Sequence, residues 1–388
     1  MPTFVSASVL VGPSAPAGLA EPLAVLSLAP DLGPAEEQLL RLCATLRAAA
    51  QPVQLVAAAD SPLAPHATGR LPVQPLAAPR SLRRVPRAAW LLARWLRRQR
   101  IGTLLVVRAL DLPVASAAKW LLGGRLRLLF QQQEPLAAAA PAAWWARLSR
   151  RPLDAWLAPL PGTARAVEAR TGLDARQLWV VPPGLPATAR RVAATPPAQA
   201  RRLLDLPAAA PLLGVADDGH SGYFALEVLY RLRGELNLPA ELVIVGHPHA
   251  GPDAGRWQRL RRHARALGLS QAVYLRPFHA PEAGGLLFPA LDALLSPAPT
   301  DDYDPLLLAA LAAGCPVVAA EGLSAADFPG LRHLFPARDV AFGAMQTRAV
   351  LQAGRQAPPE APHAQLSSYF SAAQQGRLLT DIVQYLTA

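Results

Sequence analysis

The feature that most constrains the fold is the segment 292–321, DALLSPAPTDDYDPLLLAALAAGCPVVAAE. An apolar run of strand length ends near Ser296, and an acidic loop then leads to Pro305. A helix is expected to begin at Pro305, because acidic residues and proline are favoured at helix starts. Gly314 then supplies a left-handed stop, and a second apolar strand follows. Such uniformly apolar strands are typical of parallel sheets that are buried on both faces. The segment therefore predicts a strand–helix–strand unit with a ligand-binding loop beyond its first strand.

Strands and helices alternate along most of the chain. Helical spacing of apolar residues occurs, for example, at Leu39, Cys43 and Leu46. Apolar runs of strand length lie at 23–29, 53–58, 103–107, 126–130, 156–158, 179–181, 212–215, 242–245 and 273–275. Regular alternation of this kind predicts an α/β protein with doubly wound parallel sheets.

The segment PPGLP at 182–186 predicts a boundary between two domains, because its prolines and glycine end one sheet without continuing it. We expect a final helix at 376–386. The expected divisions are an N-terminal extension at 1–22, a first domain at 23–183, a second domain at 184–362 and a C-terminal segment at 363–388.

Length and composition fit two domains of ordinary size. The chain has 388 residues, of which 52% are hydrophobic, but none of its apolar runs reaches the roughly 20 residues of a membrane span. The first 22 residues lack a basic region, so a secretory signal is not expected. The two cysteines, Cys43 and Cys315, fall in different predicted domains, which argues against a disulfide framework. These properties favour a cytoplasmic protein.

The formal net charge of +11 comes largely from arginine clusters at 80–100, 147–151 and 256–265. These clusters lack the aromatic interleaving of RNA-binding segments, and no helix-turn-helix or zinc spacing accompanies them, so we expect no nucleic-acid partner. The first cluster places basic and apolar residues at helical spacing, with Trp90 and Trp95 among them. This pattern suits either a solvated helix face or peripheral contact with an anionic membrane.

Five segments resemble motifs of the family 4 glycosyltransferases of the GT-B fold. They are VVPPGL at 180–185, LGVADDGHSG at 213–222, LVIVGHPHAG at 242–251, AVYLRPFHAPEAGGLLFPALDALLSPA at 272–298 and the segment 292–321, which overlaps the one before it. In the last segment the matching residues are Asp292, Pro297, Asp301, Tyr303, Gly314, Pro316, Val317 and Val318. The resemblance covers most of residues 150–340 and extends more loosely over residues 23–150.

The resemblance implies an enzyme with two Rossmann-like domains that face a central cleft and with its C-terminal helix packed back against the first domain. We expect no cofactor and no metal. This enzyme would move a sugar, with retention, from a nucleotide-sugar donor to a polysaccharide or lipid-linked acceptor. The implied catalytic residue is Asp301, and Gly33 belongs to the loop that approaches the acceptor or the diphosphate. The implied donor-binding residues are Gly246, His247, Asp302, Tyr303, Asp304 and Pro305. The acidic residues among them also suit a purely structural role as helix caps.

The sequence departs from the family where the donor diphosphate is bound. The family's arginine and lysine correspond to Ala216 and Ser221, and its second acidic residue corresponds to Ala309. A family histidine in the first domain corresponds to Arg108. The single lysine of the chain, Lys119, lies elsewhere in the sequence and cannot replace the missing cation.

Polar residues stand near some of these positions. Asp217, Asp218 and His220 occupy the loop after the strand at 212–215, where we expect a solvated turn rather than a metal site, because no further ligand has suitable spacing. Gln131, Gln132, Gln133 and Glu134 follow a strand of the first domain.

Three functions remain open from the sequence. The first is an active, nucleotide-sugar-dependent glycosyltransferase, which we prefer. The second is a catalytically weakened GT-B protein that serves as a scaffold or partner of another glycosyltransferase, and the three uncharged replacements favour it. The third is a regulator that binds a nucleotide in the same cleft.

Overall fold

The computed structural model shows two α/β units. The described residues are 21–30, 34–79, 81–133, 144–184, 195–217, 220–246, 255–277, 286–299, 305–322, 325–328, 331–354 and 368–387. The first unit comprises Met1–Gly184 and Tyr369–Ala388, and the second comprises Leu185–Ser368. We call them the N-terminal and C-terminal domains.

The N-terminal domain contains a seven-stranded parallel sheet in the order β3-β2-β1-β4-β5-β6-β7. Its strands are β1 Leu23–Ser27, β2 Val53–Ala58, β3 Val73–Leu76, β4 Thr103–Val106, β5 Arg127–Gln131, β6 Ala155–Ala158 and β7 Leu178–Val180. Leu23 pairs with Val53 on one side and with Thr103 on the other. The strand order therefore reverses between β1 and β4, which is the doubly wound arrangement expected from the sequence.

Helices cover both faces of this sheet. They are α1 Pro34–Ala48, α2 Leu63–Ala67, α3 Val85–Arg98, α4 Leu112–Leu121, α5 Trp144–Arg150 and α6 Pro161–Thr171. The core on one face combines the sheet with α3, α4 and α6, and the core on the other face includes α1 and α2. Burial in the second core raises the pKa of the Cys43 thiol to about 12, so this cysteine behaves as a small apolar residue.

The C-terminal domain repeats the plan with six parallel strands in the order β10-β9-β8-β11-β12-β13. The strands are β8 Leu212–Ala216, β9 Glu241–Gly246, β10 Val273–Pro277, β11 Ala293–Pro299, β12 Val317–Ala320 and β13 His333–Phe335. The helices are α7 Pro197–Leu203, α8 Ser221–Gly234, α9 Arg256–Ala266, α10 Pro305–Ala312 and α11 Val340–Ala353. Here the strand order reverses between β8 and β11.

The last helix, α12 Ala372–Thr387, belongs to the N-terminal domain and packs against α1. Gln375 accepts a hydrogen bond through Oε1 from the backbone N–H of Gly184 at 2.8 Å. Near the other end of the helix, the Tyr385 ring lies 5.4 Å from the Trp179 ring in an edge-to-face arrangement. Across the described ranges, none of the helices combines the length and the apolar character that crossing a bilayer requires.

Several elements were missed by the sequence analysis. The strand β3 contains Pro75, which cannot donate a backbone hydrogen bond to a neighbouring strand. The structure places β3 at the edge of the sheet, where one of its sides has no neighbour among the described strands. The helix α11 was also missed, although Asp339 caps it by accepting a hydrogen bond through Oδ1 from Phe342 N at 2.9 Å.

In both sheets, an aspartate at the amino-terminal end of a strand links that strand to its neighbour and to a helix. In the N-terminal domain, Asp154 precedes β6 and accepts hydrogen bonds through Oδ2 from Leu128 N at 2.7 Å and from Lys119 Nζ at 2.5 Å. The carboxylate thereby joins β5, β6 and α4. The single lysine of the chain therefore holds the amino-terminal ends of these strands.

In the C-terminal domain, Asp292 precedes β11 and accepts hydrogen bonds through Oδ2 from Leu212 N at 2.7 Å and from Arg201 Nη2 at 2.6 Å. The buried Arg201 side chain on α7 also donates to three backbone carbonyls, those of Ala290, Ala208 and Ala210. One guanidinium therefore organises the starts of β8 and β11. Both aspartates occur in the same sequence, Leu-Asp-Ala, at 153–155 and 291–293.

We predict that Arg201→Ala destabilises the C-terminal domain by about 2–4 kcal/mol, because it leaves the Asp292 carboxylate and three carbonyls without their shared donor. Urea unfolding followed by circular dichroism measures this change. The matched control is Arg202→Ala on the same helix, where the side chain is exposed and the expected change is below about 0.5 kcal/mol. Equal stability of the two variants would contradict the role given to Arg201.

Candidate functional site

The carboxyl-terminal ends of β8 and β11 form the best-placed ligand edge of the C-terminal domain, because ligands of doubly wound sheets bind where the strand order reverses. The pairing of β11 with β12 is irregular there, with a register shift between Ser296 and Pro299. The helix α10 then begins at Pro305. The switch point thus lies beside the loop that the sequence analysis predicted to bind the donor.

The structure describes two of the predicted site residues. Gly246 is the buried last residue of β9, and Pro305 is the first residue of α10. A side chain at Gly246 would place its Cβ 3.4 Å from the Asp217 Cβ and 3.6 Å from the Trp257 Nε1. The remaining predicted site residues lie outside the described residues: Gly33, His247, Asp301, Asp302, Tyr303 and Asp304.

The three uncharged replacements lie on the elements that surround this edge. Ala216 ends β8, Ser221 begins α8 and is 4% exposed, and Ala309 lies within α10. Both alanines are partly buried. None of the three side chains carries a charge, so these positions provide neither a cation for a phosphate nor a carboxylate for a ribose.

Asp217 lies in the loop between β8 and α8, and its side chain is buried, so the expectation of a solvated turn is wrong for this residue. His220, at the end of the same loop, is exposed, and Asp218 lies outside the described residues. The Asp217 backbone N–H donates to Val245 O at 2.8 Å, which extends the pairing of β8 with β9. Its side chain is 1% exposed, and Oδ2 lies 3.6 Å from Arg256 Nε. A Cβ at Gly222 would lie only 3.1 Å from Asp217 Oδ1, so the glycine allows the close packing of this carboxylate. Within the described ranges, no group of three or more potential ligands could hold a metal ion.

Arg256 brings a positive charge to this edge from an element that the sequence analysis did not single out. It is the first residue of α9, and its side chain is 22% exposed. In the sequence, Arg256 is recognisable only as a member of the basic cluster at 256–265. Its position at the start of the helix that follows β9 could have indicated a site residue, because the first turns of such helices face the carboxyl-terminal edge of the sheet.

The N-terminal domain has an ion pair at its own switch point. Asp111 is 4% exposed and accepts a hydrogen bond through Oδ2 from Leu28 N at 2.8 Å, which links the region after β4 to the end of β1. Arg108 Nη1 lies 3.9 Å from Asp111 Oδ1. The residue that replaces the family histidine therefore belongs to a structural charge pair at this edge.

The glutamines after β5 are also buried at this edge. Gln131 and Gln132 are 3% and 2% exposed, and Gln132 accepts a hydrogen bond through Oε1 from Trp156 Nε1 at 3.1 Å. Within the part of the chain that the structure describes, Gln131 Oε1 has no hydrogen-bond partner. A buried acceptor of this kind is able to receive a hydroxyl hydrogen from a ligand. Glu134 lies outside the described residues.

Structural comparison finds the same two-domain architecture in proteins of known structure. A glycosyltransferase from Rickettsia africae superposes with a TM-score of 0.77 at 12% identity, covering 95% of this chain and 99% of that chain. Anabaena Alr3699/HepE in complex with UDP-glucose has a TM-score of 0.76 at 16% identity, covering 94% and 99%. Sucrose-phosphate synthase from Thermosynechococcus elongatus has a TM-score of 0.75 at 16% identity, covering 95% and 99%. At these identities the likeness establishes the fold.

The chain has the GT-B fold of glycosyltransferases. A sequence model of the family described as Glycosyltransferase Family 4 matches residues 35–188. This match lies in the half of the chain where the motifs resemble the family more loosely, and it does not include the segment 292–321. No curated protein sequence matches the chain significantly.

In this GT-B protein, we predict that Asp217 and Arg256 stabilise each other. Unfolding free energies of Asp217→Asn, Arg256→Gln and the double variant give a coupling energy, which we expect to be about 1–2 kcal/mol because the carboxylate is fully buried.

The matched control is the exposed Arg231–Glu235 pair on α8, which is separated by 2.8 Å. Its side chains are 40% and 53% exposed, and the expected coupling is below about 0.5 kcal/mol. A coupling for Asp217 and Arg256 as small as that of the control would show that the buried carboxylate does not depend on this arginine.

Proposed function

We propose that the protein is a glycosyltransferase that moves a sugar from a nucleotide-sugar donor to a polysaccharide or lipid-linked acceptor with retention of configuration. The observation that carries the proposal is the GT-B fold over 94% of the chain, shared with a protein that was solved with UDP-glucose. The glycosyltransferase family 4 match over residues 35–188 supports the same reaction class.

In the proposed donor site, the Asp301 carboxylate accepts hydrogen bonds from sugar hydroxyls and acts at the reacting sugar. The other donor contacts come from the end of β9 and the residue after it, and from the loop that joins β11 to α10 together with the start of that helix. They are Gly246, His247, Asp302, Tyr303, Asp304 and Pro305. Gly33 belongs to the loop after β1 and lets the acceptor or the diphosphate approach the backbone. The positive end of the helix dipole, at the start of α10, favours a negatively charged diphosphate.

A retaining transfer also needs positive charge near the leaving diphosphate. With Ala216 and Ser221 in the family's basic positions, we propose Arg256 as the cation at this edge. Its side chain is partly exposed, so a diphosphate can reach the guanidinium while Asp217 holds the other side. An arginine suits this role because its planar donors match phosphate oxygens.

The second candidate function is a catalytically weakened GT-B protein that acts as a scaffold or partner of another glycosyltransferase. The observation that favours it is the lack of charge at Ala216, Ser221 and Ala309. The buried Asp217 carboxylate adds negative charge to the same loop and opposes a diphosphate.

The protein would act where its acceptor is held. We propose the inner face of a membrane, with peripheral contact through the arginine-rich segment near 80–100, since a lipid-linked acceptor is held there. Nucleic acid is not part of the proposal.

We expect calorimetry to detect binding of UDP, GDP or another nucleoside diphosphate to the purified protein.

Asp301→Ala should reduce the affinity for the sugar nucleotide or its turnover by about 5- to 150-fold, because a charged hydrogen bond is lost. The matched control is Asp339→Ala, which removes a helix cap at the start of α11. If Asp301 is only a cap, both variants should lower the melting temperature and leave donor binding unchanged.

The variant Ala216→Arg/Ser221→Lys/Ala309→Glu restores the family's charges and separates the two candidate functions. In a weakened protein it should raise the affinity for UDP or GDP by about tenfold or more, because two cations then face the diphosphate. In an active enzyme that uses Arg256, it should be neutral or harmful. Absence of nucleotide binding in both the parent and the restored variant would contradict the donor site and leave the scaffold function.

A further inference from the structure

The positive charge of the chain is concentrated in one part of the N-terminal domain. Residues 61–133 contain thirteen basic residues and one acidic residue, Asp111. Their net charge of +12 exceeds the +11 of the whole chain, so the remainder is close to neutral. A charge of one sign over so short a segment attracts an anionic partner.

The arginines of α3 and its flanks lie at the surface. The helix buries a stripe formed by Ala88, Ala89, Leu92, Ala93 and Leu96. The opposite side and the flanking residues expose Arg83, Arg84, Arg87, Arg94, Arg97, Arg98 and Arg100. The only carboxylate in the sequence of this segment is that of Asp111. It is buried, it accepts a hydrogen bond from Leu28 N and it lies beside the Arg108 guanidinium. The exposed charges are therefore not neutralised by acidic residues nearby in the sequence.

Large apolar side chains are exposed on the same layer of helices. Trp90 is 51% exposed and Leu91 is 36% exposed on α3, and the Arg94 guanidinium lies 5.3 Å above the Trp90 ring. Trp120 and Leu121 at the end of α4 are 61% and 57% exposed. Because α3 and α4 pack against each other on one face of the sheet, their outer sides form one continuous helical layer.

We propose that the outer side of α3 and α4, called here the α3–α4 surface, binds the headgroup region of an anionic phospholipid bilayer. Tryptophan and leucine enter the boundary between headgroups and acyl chains, and the arginines contact the lipid phosphates. The inference rests on the peripheral contact in the proposed function and deepens it by adding α4 and the apolar anchors. It does not depend on sugar transfer.

The exposed side chains favour a lipid surface over a nucleic acid. Phosphate contacts alone would explain the arginines, but they leave the exposed Trp120–Leu121 pair and Leu91 without a role. An arginine-rich helix without such anchors exists in the same protein: α9 exposes Arg261, Arg262 and Arg265, and no large hydrophobic side chain is exposed on it. This difference makes α9 a matched control for charge alone.

Co-sedimentation with vesicles tests the proposal on the full chain. The parent protein should bind vesicles of phosphatidylcholine with phosphatidylglycerol and should not bind phosphatidylcholine alone. Arg94→Gln/Arg97→Gln/Arg98→Gln should weaken binding about 100-fold, given the attraction of each basic residue to an anionic surface. The control Arg261→Gln/Arg262→Gln/Arg265→Gln should keep binding within about twofold of the parent.

The apolar anchors are tested by Trp90→Ala/Trp120→Ala, which should weaken vesicle binding about tenfold or more. Leu203→Ala/Tyr230→Ala, at exposed positions of the C-terminal domain, is the control and should have no effect. Vesicles with brominated acyl chains should quench the tryptophan fluorescence of the parent more than that of the Trp90→Ala/Trp120→Ala variant. Thermal melting verifies that each variant folds, and UDP calorimetry on the same samples reports the donor site separately.

Three results would overturn the proposal: no binding of the parent to anionic vesicles, an equal loss in the α9 control, or full binding without the two tryptophans. Single-stranded RNA tests the alternative partner. If RNA binds the parent protein more tightly than the vesicles do and releases the protein from them, the α3–α4 surface binds nucleic acid instead.

Discussion

The ion pair between an aspartate and a largely buried cation, at the start of an inner strand, is the contact on which both sheets depend. In each domain the carboxylate of Leu-Asp-Ala accepts the N–H of the neighbouring strand and a hydrogen bond from a helix, from Lys119 in one case and Arg201 in the other. Parallel strands have no tight turn to set their register, so an anchor at their starts must do so. With the amino-terminal ends fixed, the carboxyl-terminal ends are free to present loops.

In the proposed function those loops bind the donor, and the charges at this edge differ from the pattern of the family that the sequence resembles. The positions that would supply a cation hold Ala216 and Ser221, while a carboxylate, Asp217, is buried between them and is compensated by Arg256 from the next helix. The guanidinium at this edge thus comes from Arg256 on α9 and not from the β8 loop, and the Asp217 carboxylate partly neutralises its charge. The same arrangement therefore suits a transferase with a displaced phosphate contact or a protein in which that contact is weakened.

The N-terminal domain carries two groups of polar and charged residues in different places. Its carboxyl-terminal edge holds Arg108, Asp111 and the buried glutamines, whereas its outer helical layer carries exposed arginines with tryptophans. Because a helix presents opposite sides to the core and to solvent, α3 can complete the core through Leu92 and Leu96 while Trp90 and Arg94 remain available to a partner. Contact with an anionic surface would thus leave the strand ends unobstructed.

The sequence by itself determined the fold class, because uniformly apolar strands that alternate with helices are stable only in parallel sheets covered on both faces. It also indicated that the Asp-Asp-Tyr-Asp loop before Pro305 is a candidate ligand-binding loop. It missed β3, whose Pro75 is tolerated only because the strand lies at an edge, and α11, where Asp339 was the available signal. Only the tertiary structure decided that Asp217 is buried against Arg256 and that Lys119 holds a sheet edge, because ion pairs between residues 35 or 39 positions apart depend on how distant elements pack rather than on any local pattern.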